Sequence, residues 1–197
     1  MMRRTLGIMF LLLAAVALLA GCGSKKHTVQ PSTTKILPPA QSPDEWAARI
    51  VNRLLRPTNK DIQALLALNN PQTKVYLQER NADTIRILNM RIGDLARCSD
   101  RLIAIGPPPP TADDLNRLNR IDSLLRRACT HYGKVSEIVL DAVGLLSSEK
   151  SNDHLKGLNR LGDARTDAFA AAGSYDRAVQ LAGRSPEFRR QGVRPAP

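Results

Sequence analysis

The side chains best suited to binding a metal, attacking as nucleophiles or shuttling protons near neutral pH are few in this chain. They are Cys22, Cys98 and Cys129, with His27, His131 and His154. Cys98 and Cys129 do not have the Cys-x-x-Cys spacing of zinc or redox sites. A metal site would need His131, His154 and a carboxylate such as Glu137. Helical spacing puts the two histidines far apart, however, and the chain has no Glu-x-x-His pair of the kind that di-metal bundles use. Solvated histidines are expected instead, with no metal and no cofactor. A nucleophilic Ser, Thr or Cys requires an adjacent base held by a third group. The sequence contains no Gly-x-Ser-x-Gly elbow, no phosphate-cradling glycine loop and no Cys-x-x-Cys-His haem attachment site. No catalytic residue is assigned, and the chain is not expected to be an enzyme.

Cys22 has a different setting. Arg3 and Arg4 precede an almost wholly apolar run from Leu6 to Leu19, and small residues follow. This is the layout of a secretory signal peptide, and the run is shorter than the roughly 20 residues a membrane-spanning helix needs. Leu19-Ala20-Gly21-Cys22 then fits Leu, small residue, Gly or Ala, Cys at all four positions. Over residues 1–22 the chain therefore resembles the bacterial lipoproteins. The resemblance implies that residues 1–21 are a cleaved signal peptide and that Cys22 carries a diacylglyceryl group at the new N-terminus. Two or more acyl chains, at about 0.8 kcal/mol per buried methylene, make such an anchor lasting. The implied location is extracytoplasmic, lipid-anchored to the cell membrane, or to an outer membrane where there is one.

Export changes the expectation for the other two cysteines. In an oxidising compartment Cys98 and Cys129 should form a disulfide. Charge points the same way as the anchor. Without Arg3 and Arg4, 27 basic face 18 acidic side chains, and two thirds of that excess lies in residues 22–42 and 183–197. A nucleic-acid binder concentrates charge on a folded face, so no nucleic-acid partner is expected. Lys25 and Lys26, close to the proposed lipid, could each add about 1 kcal/mol of attraction to an anionic leaflet; solvated basic ends are the alternative.

The elements that must position these residues read as helices, with no alternating strand pattern. Residues 22–42 are Ser-, Thr-, Lys- and Pro-rich and read as a flexible tether. Ser42 as N-cap, Pro43 in the first turn and Glu45 completing a capping box open the first helix. Its repeat Trp46, Ile50, Leu54 is interrupted by Pro57 and resumes at Ile62, so residues 43–68 are one kinked helix or two short ones. A second helix begins at Pro71 or Ala82 and ends at Gly106, before Pro107 to Pro110. The third, capped by Thr111, has the most regular seam: Leu118, Ile121, Leu125, Ala128, Tyr132, Val135, Val139, Ala142 and Leu146. A fourth starts at Ser151, with Leu155, Leu158, Leu161, Ala168, Ala172, Tyr175 and Val179 on its apolar side. The basic residues 183–197 read as a disordered tail.

With Cys98 beside Cys129, the second helix overruns the bridge by seven residues and the third starts about 17 before it. That leaves a gap of about 15 Å at 1.5 Å per residue, which the extended stretch Gly106 to Pro110 can span at roughly 3 Å per residue. The expected fold is therefore all-α, an antiparallel three- to four-helix bundle over residues 43–182. Ala168 to Ser174 is a run of small residues that either lets helices approach closely or leaves a groove. A non-enzymatic interaction module for an envelope protein or polymer is the leading expectation, and a small-ligand carrier binding between the helices is the alternative.

Overall fold

Residues 35–194 are described by a computed structural model, and over them the chain is helical with no strand. Cys22, Lys25, Lys26 and His27 lie outside the described residues, as does residues 195–197. Helix α1 spans Pro43–Ile50 and runs without a break through a π-helical turn, Val51–Leu55, into α2, Arg56–Ala67. Pro57 explains the turn. It has no N–H to donate to the ladder, and just before it the Arg56 N–H reaches back five residues to the Val51 carbonyl. The interrupted repeat is thus one continuous helix that absorbs its proline by widening.

At the start of α1 the Glu45 N–H donates to Ser42 Oγ at 3.2 Å, as a cap should. The reciprocal half differs from the expected box, because Glu45 Oε2 accepts from the Gln41 N–H at 2.8 Å, one residue further out. The last part of the expected tether is also ordered. The Leu37 N–H donates to the Ala104 carbonyl at 3.1 Å and Ala40 is buried, so the folded unit begins before residue 43.

The expected second helix is divided into α3 (Pro71–Gln78), α4 (Ala82–Ala96) and α5 (Cys98–Ile105). Asn70 and Asn81 cap α3 and α4. Between α4 and α5 the ladder tightens at Arg97, whose N–H bonds to the Asp94 carbonyl three residues back. Gly106, at φ +81, ends α5 in a conformation that suits glycine. Prolines 107–110 follow as a non-helical connection in which Pro108 and Pro109 are buried. The cap of the next helix is Asp114, not Thr111: its carboxylate accepts from the Arg117 N–H at 3.1 Å.

Helix α6, Leu115–Leu146, is 32 residues long, about 48 Å. All nine seam positions expected from its three-four repeat are buried. Around it the core falls into two clusters. One gathers Trp46, Ile50, Leu54, Cys98, Tyr132 and Phe188, and the other Leu77, Leu88, Ile92, Val139, Val143 and Leu146. The sulfurs of Cys98 and Cys129 lie 1.99 Å apart, at disulfide distance, with their Cα atoms 5.0 Å apart. The helices and the proline connection therefore bring together the two cysteines that the sequence pairs.

The expected fourth helix is two, α7 (Ser151–Asp163) and α8 (Arg165–Arg184), with a break at Ala164. Gly157 is the buried residue of α7, and Leu155 and Leu158 are exposed at 65% and 42% rather than in the core. Helix α8 buries Ala171, Ser174, Tyr175, Ala178 and Ala182, so only Tyr175 of the expected face is fully covered. The C-terminal region is not a disordered tail as far as residue 194. Ser185 and Pro186 start α9 (Pro186–Arg190), which buries Phe188 completely. Arg190 makes two hydrogen bonds to the Asp44 carboxylate, at 2.8 and 3.0 Å.

Candidate functional site

The break at Ala164 and the displaced register of α8 have a shared consequence. Because α8 turns Ala171, Ser174 and Ala178 toward α6, Ala168 and Ala172 are left half-covered and face an open groove. The groove has a volume of about 600 Å³, within the roughly 300 to 1,000 Å³ typical of small-molecule sites. Its floor is the buried stretch Tyr132, Val135 and Val139 of α6. One wall is Ile62, Leu65 and Leu66 of α2, and the other is Ala168, Phe169 and Ala172 of α8. Leu158 and Leu161 of α7 also line it. Leu66, Leu158 and Phe169 are exposed large apolar residues, so the groove opens to solvent along an apolar mouth.

Four polar side chains interrupt this lining: Asn69, Lys74, Tyr132 and Arg165. Among the described residues neither Lys74 nor Arg165 has a carboxylate within salt-bridge distance, a state they share with Arg53, Lys60, Arg97 and Arg120. The Arg165 guanidinium lies 5.4 Å from the centre of the exposed Phe169 ring, a cation–π arrangement that holds the cation at the mouth. Tyr132 is only 3% exposed, and its hydroxyl has no hydrogen-bond partner among the described residues. Burial pushes its phenol well above the usual range, with a smaller contribution from Asp176, so it remains a neutral donor. Its ring meets Tyr175 edge-on at 6.1 Å. The Tyr175 hydroxyl lies 2.9 Å from Asn59 Oδ1 and 3.1 Å from the Leu55 carbonyl, which ties α8 to the π turn.

His131 and His154 are occupied elsewhere. His131 Nδ1 is 2.6 Å from Asp167 Oδ1, linking α6 to α8, and His154 Nε2 is 3.1 Å from the Ser148 carbonyl. Among the described residues no three His, Cys, Asp or Glu side chains group closely enough to hold a metal ion, so the combination of His131, His154 and Glu137 does not form. No described helix is long and apolar enough to cross a membrane.

A second, polar cleft lies between α2, α4 and α5. Asp61, 1% exposed, accepts from Arg101 Nη1 at 3.0 Å and lies 3.7 Å from Arg91; Arg101 is in turn 3.8 Å from Asp94. Arg56 and Lys60 complete its charged lining. Four cations face two carboxylates here, so the cleft keeps an excess of positive charge while its ion pairs link α2, α4 and α5.

The small-residue run is legible in the sequence, and the signal for the rest of the groove lies in Leu158 and Phe169, two large apolar residues on a stretch whose buried positions are mainly Ala and Gly. No family model, curated protein or solved structure matches this chain.

Proposed function

We propose that the chain is an exported lipoprotein, cut before Cys22 and lipidated there, whose helical domain is a non-enzymatic interaction module at the cell envelope. The lipobox at Leu19 to Cys22 supports the anchor, and Lys25 and Lys26 suit an anionic leaflet next to it. Residues 23–34 then tether the domain near the membrane. The helices pack antiparallel about α6, as their short connections favour, and Cys98 and Cys129 are oxidised after export.

The observation that carries the interaction reading is the groove of about 600 Å³ between α2, α6 and α8. Its aliphatic lining and its few separated polar groups suit binding rather than bond-breaking, which needs convergent polar groups. The same groove favours a second reading, a carrier whose ligand lies between the helices.

Mass spectrometry of the protein isolated from cells tests the anchor: the expected N-terminus is Cys22 with its acyl groups. An unmodified Cys22, or a Cys22→Ser variant still held in the membrane fraction, would overturn it. Cross-linking from the groove mouth, at position 169, tests the binding role by recovering whatever occupies the groove in cells.

A further inference from the structure

The geometry points to a single-chain acyl anion, such as a fatty acid, as the occupant of the groove, its tail along α6 and its head between Lys74 and Arg165. This rests on the carrier reading and names the class of ligand it would take. Three observations support this occupant.

The first is size. About 600 Å³ lies within the range of small-molecule sites, and a flexible alkyl chain can follow an open apolar lining of that volume. The second is charge. Lys74 and Arg165 are cations without a carboxylate partner among the described residues, and they stand beside an apolar lining. That is complementary to a ligand with one anionic end and one apolar end. The third is Tyr132. It lines the groove floor, and its hydroxyl, which is not closed off from water and has no protein partner among the described residues, can donate to a ligand oxygen.

Two cations at a solvent-open mouth should contribute modestly, and the tail should supply most of the affinity. The test is calorimetric titration of the processed chain, residues 22–197 with Cys22→Ser, using octanoate, decanoate, dodecanoate and 1-dodecanol. The expected result is one site per chain, with affinity rising by up to about fourfold per added methylene. Dodecanoate should bind about tenfold more tightly than dodecanol. The double variant Lys74→Gln, Arg165→Gln should remove that preference and leave dodecanol binding unchanged. Ala172→Phe, which fills the groove, should abolish binding of both. Helix melting by circular dichroism checks that variant, and Ala168→Val is the milder substitute should Ala172→Phe unfold.

Absence of saturable binding would overturn the proposal, as would equal affinity for acid and alcohol, or dodecanoate binding that survives a folded groove-filling variant. Cross-linking from position 169 to a protein instead of a lipid would overturn it in favour of a docked partner. Failure of the anchor is read separately, because the mass of the cellular N-terminus does not depend on what the groove binds.

Discussion

Phe188 packs edge-on against Trp46, with ring centroids 5.7 Å apart and planes at 88°, and both side chains are fully buried. One comes from the first helix of the domain and the other from the last, so this contact joins the two ends of the folded chain. The Trp46 indole N–H donates to the Gly106 carbonyl at 3.0 Å, which adds the end of α5 to the same junction. Phe188→Ala should therefore destabilise the protein by about 3–5 kcal/mol, the range for emptying a buried aromatic site. Arg190→Ala breaks the neighbouring exposed pair with Asp44 and should cost no more than about 1 kcal/mol. Urea denaturation of both variants checks this. Similar small losses would mean that the C-terminal helix is dispensable.

The Cys98 and Cys129 sulfurs join α5 to the middle of α6 across a sequence separation of 31. In the chain-entropy picture, opening a loop of that length removes about 3–4 kcal/mol. Cys98→Ala, Cys129→Ala should melt at a lower temperature by a corresponding amount. Reducing agent should lower the melting temperature of the wild type toward that of the double variant and leave the variant itself unchanged. An unchanged wild-type melt under reduction would mean that the pair contributes nothing as a covalent link.

The long helix was legible in the sequence because burial on one side imposes a repeat, and Leu118 through Leu146 keep that repeat without exception. The pairing of Cys98 with Cys129 was legible because their spacing and the proline connection constrain the same geometry. The ends were not. Ser185-Pro186-Glu187 repeats the start signal of Ser42-Pro43-Asp44, but the arginines around it suggested solvent, and one buried Phe188 is enough to anchor a short helix. The face of α8 is hard to read for a physical reason. Its alanines spread over about 200° of the helix circumference, so the 3.6-residue repeat barely distinguishes neighbouring registers, and contact with α6 selects Ala171 and Ala178 over Ala168 and Ala172. That choice, which composition alone does not encode, is what leaves the groove.

Gly157 sets how closely α7 approaches α6. A Cβ built there would meet Leu146 Cγ at 2.8 Å and two backbone atoms, the Ala142 carbonyl oxygen and the Leu146 nitrogen, at 3.1 Å. The backbone atoms cannot rotate away, so Gly157→Ala should force α7 outward. The overpacking cost of about 1–3 kcal/mol should exceed the gain of about 1 kcal/mol in helix propensity. Gly144, within α6, has nothing within 4 Å of its would-be Cβ, and Gly144→Ala should stabilise by up to about 1 kcal/mol. Opposite signs in thermal melts of these two variants are expected. A stabilised Gly157→Ala protein would contradict the close approach of the helices.

The charged cleft gives a pH dependence whose sign separates burial from ion pairing. Burial pushes the Asp61 carboxyl above its usual value near 3.8, outweighing the hydrogen bond and charge of Arg101. Between that value and the raised one, the folded protein holds a proton that the unfolded chain has released. Stability from this group is thus greatest in acid and is lost as pH rises through the raised value. Glu45 acts in the opposite sense: the Gln41 N–H and the Arg49 side chain hold its carboxyl below the usual 4.5, and what it contributes is lost as pH falls through the lowered value. Asp61→Asn isolates the first effect. The variant should gain on the wild type as pH rises through the Asp61 window and lose that gain in acid, measured by urea denaturation from pH 3 to pH 7 (about four pH units, wide enough to cover the shift). A wild type that gains on the variant as pH rises would mean that pairing with Arg101 and Arg91 outweighs the cost of burying the charge.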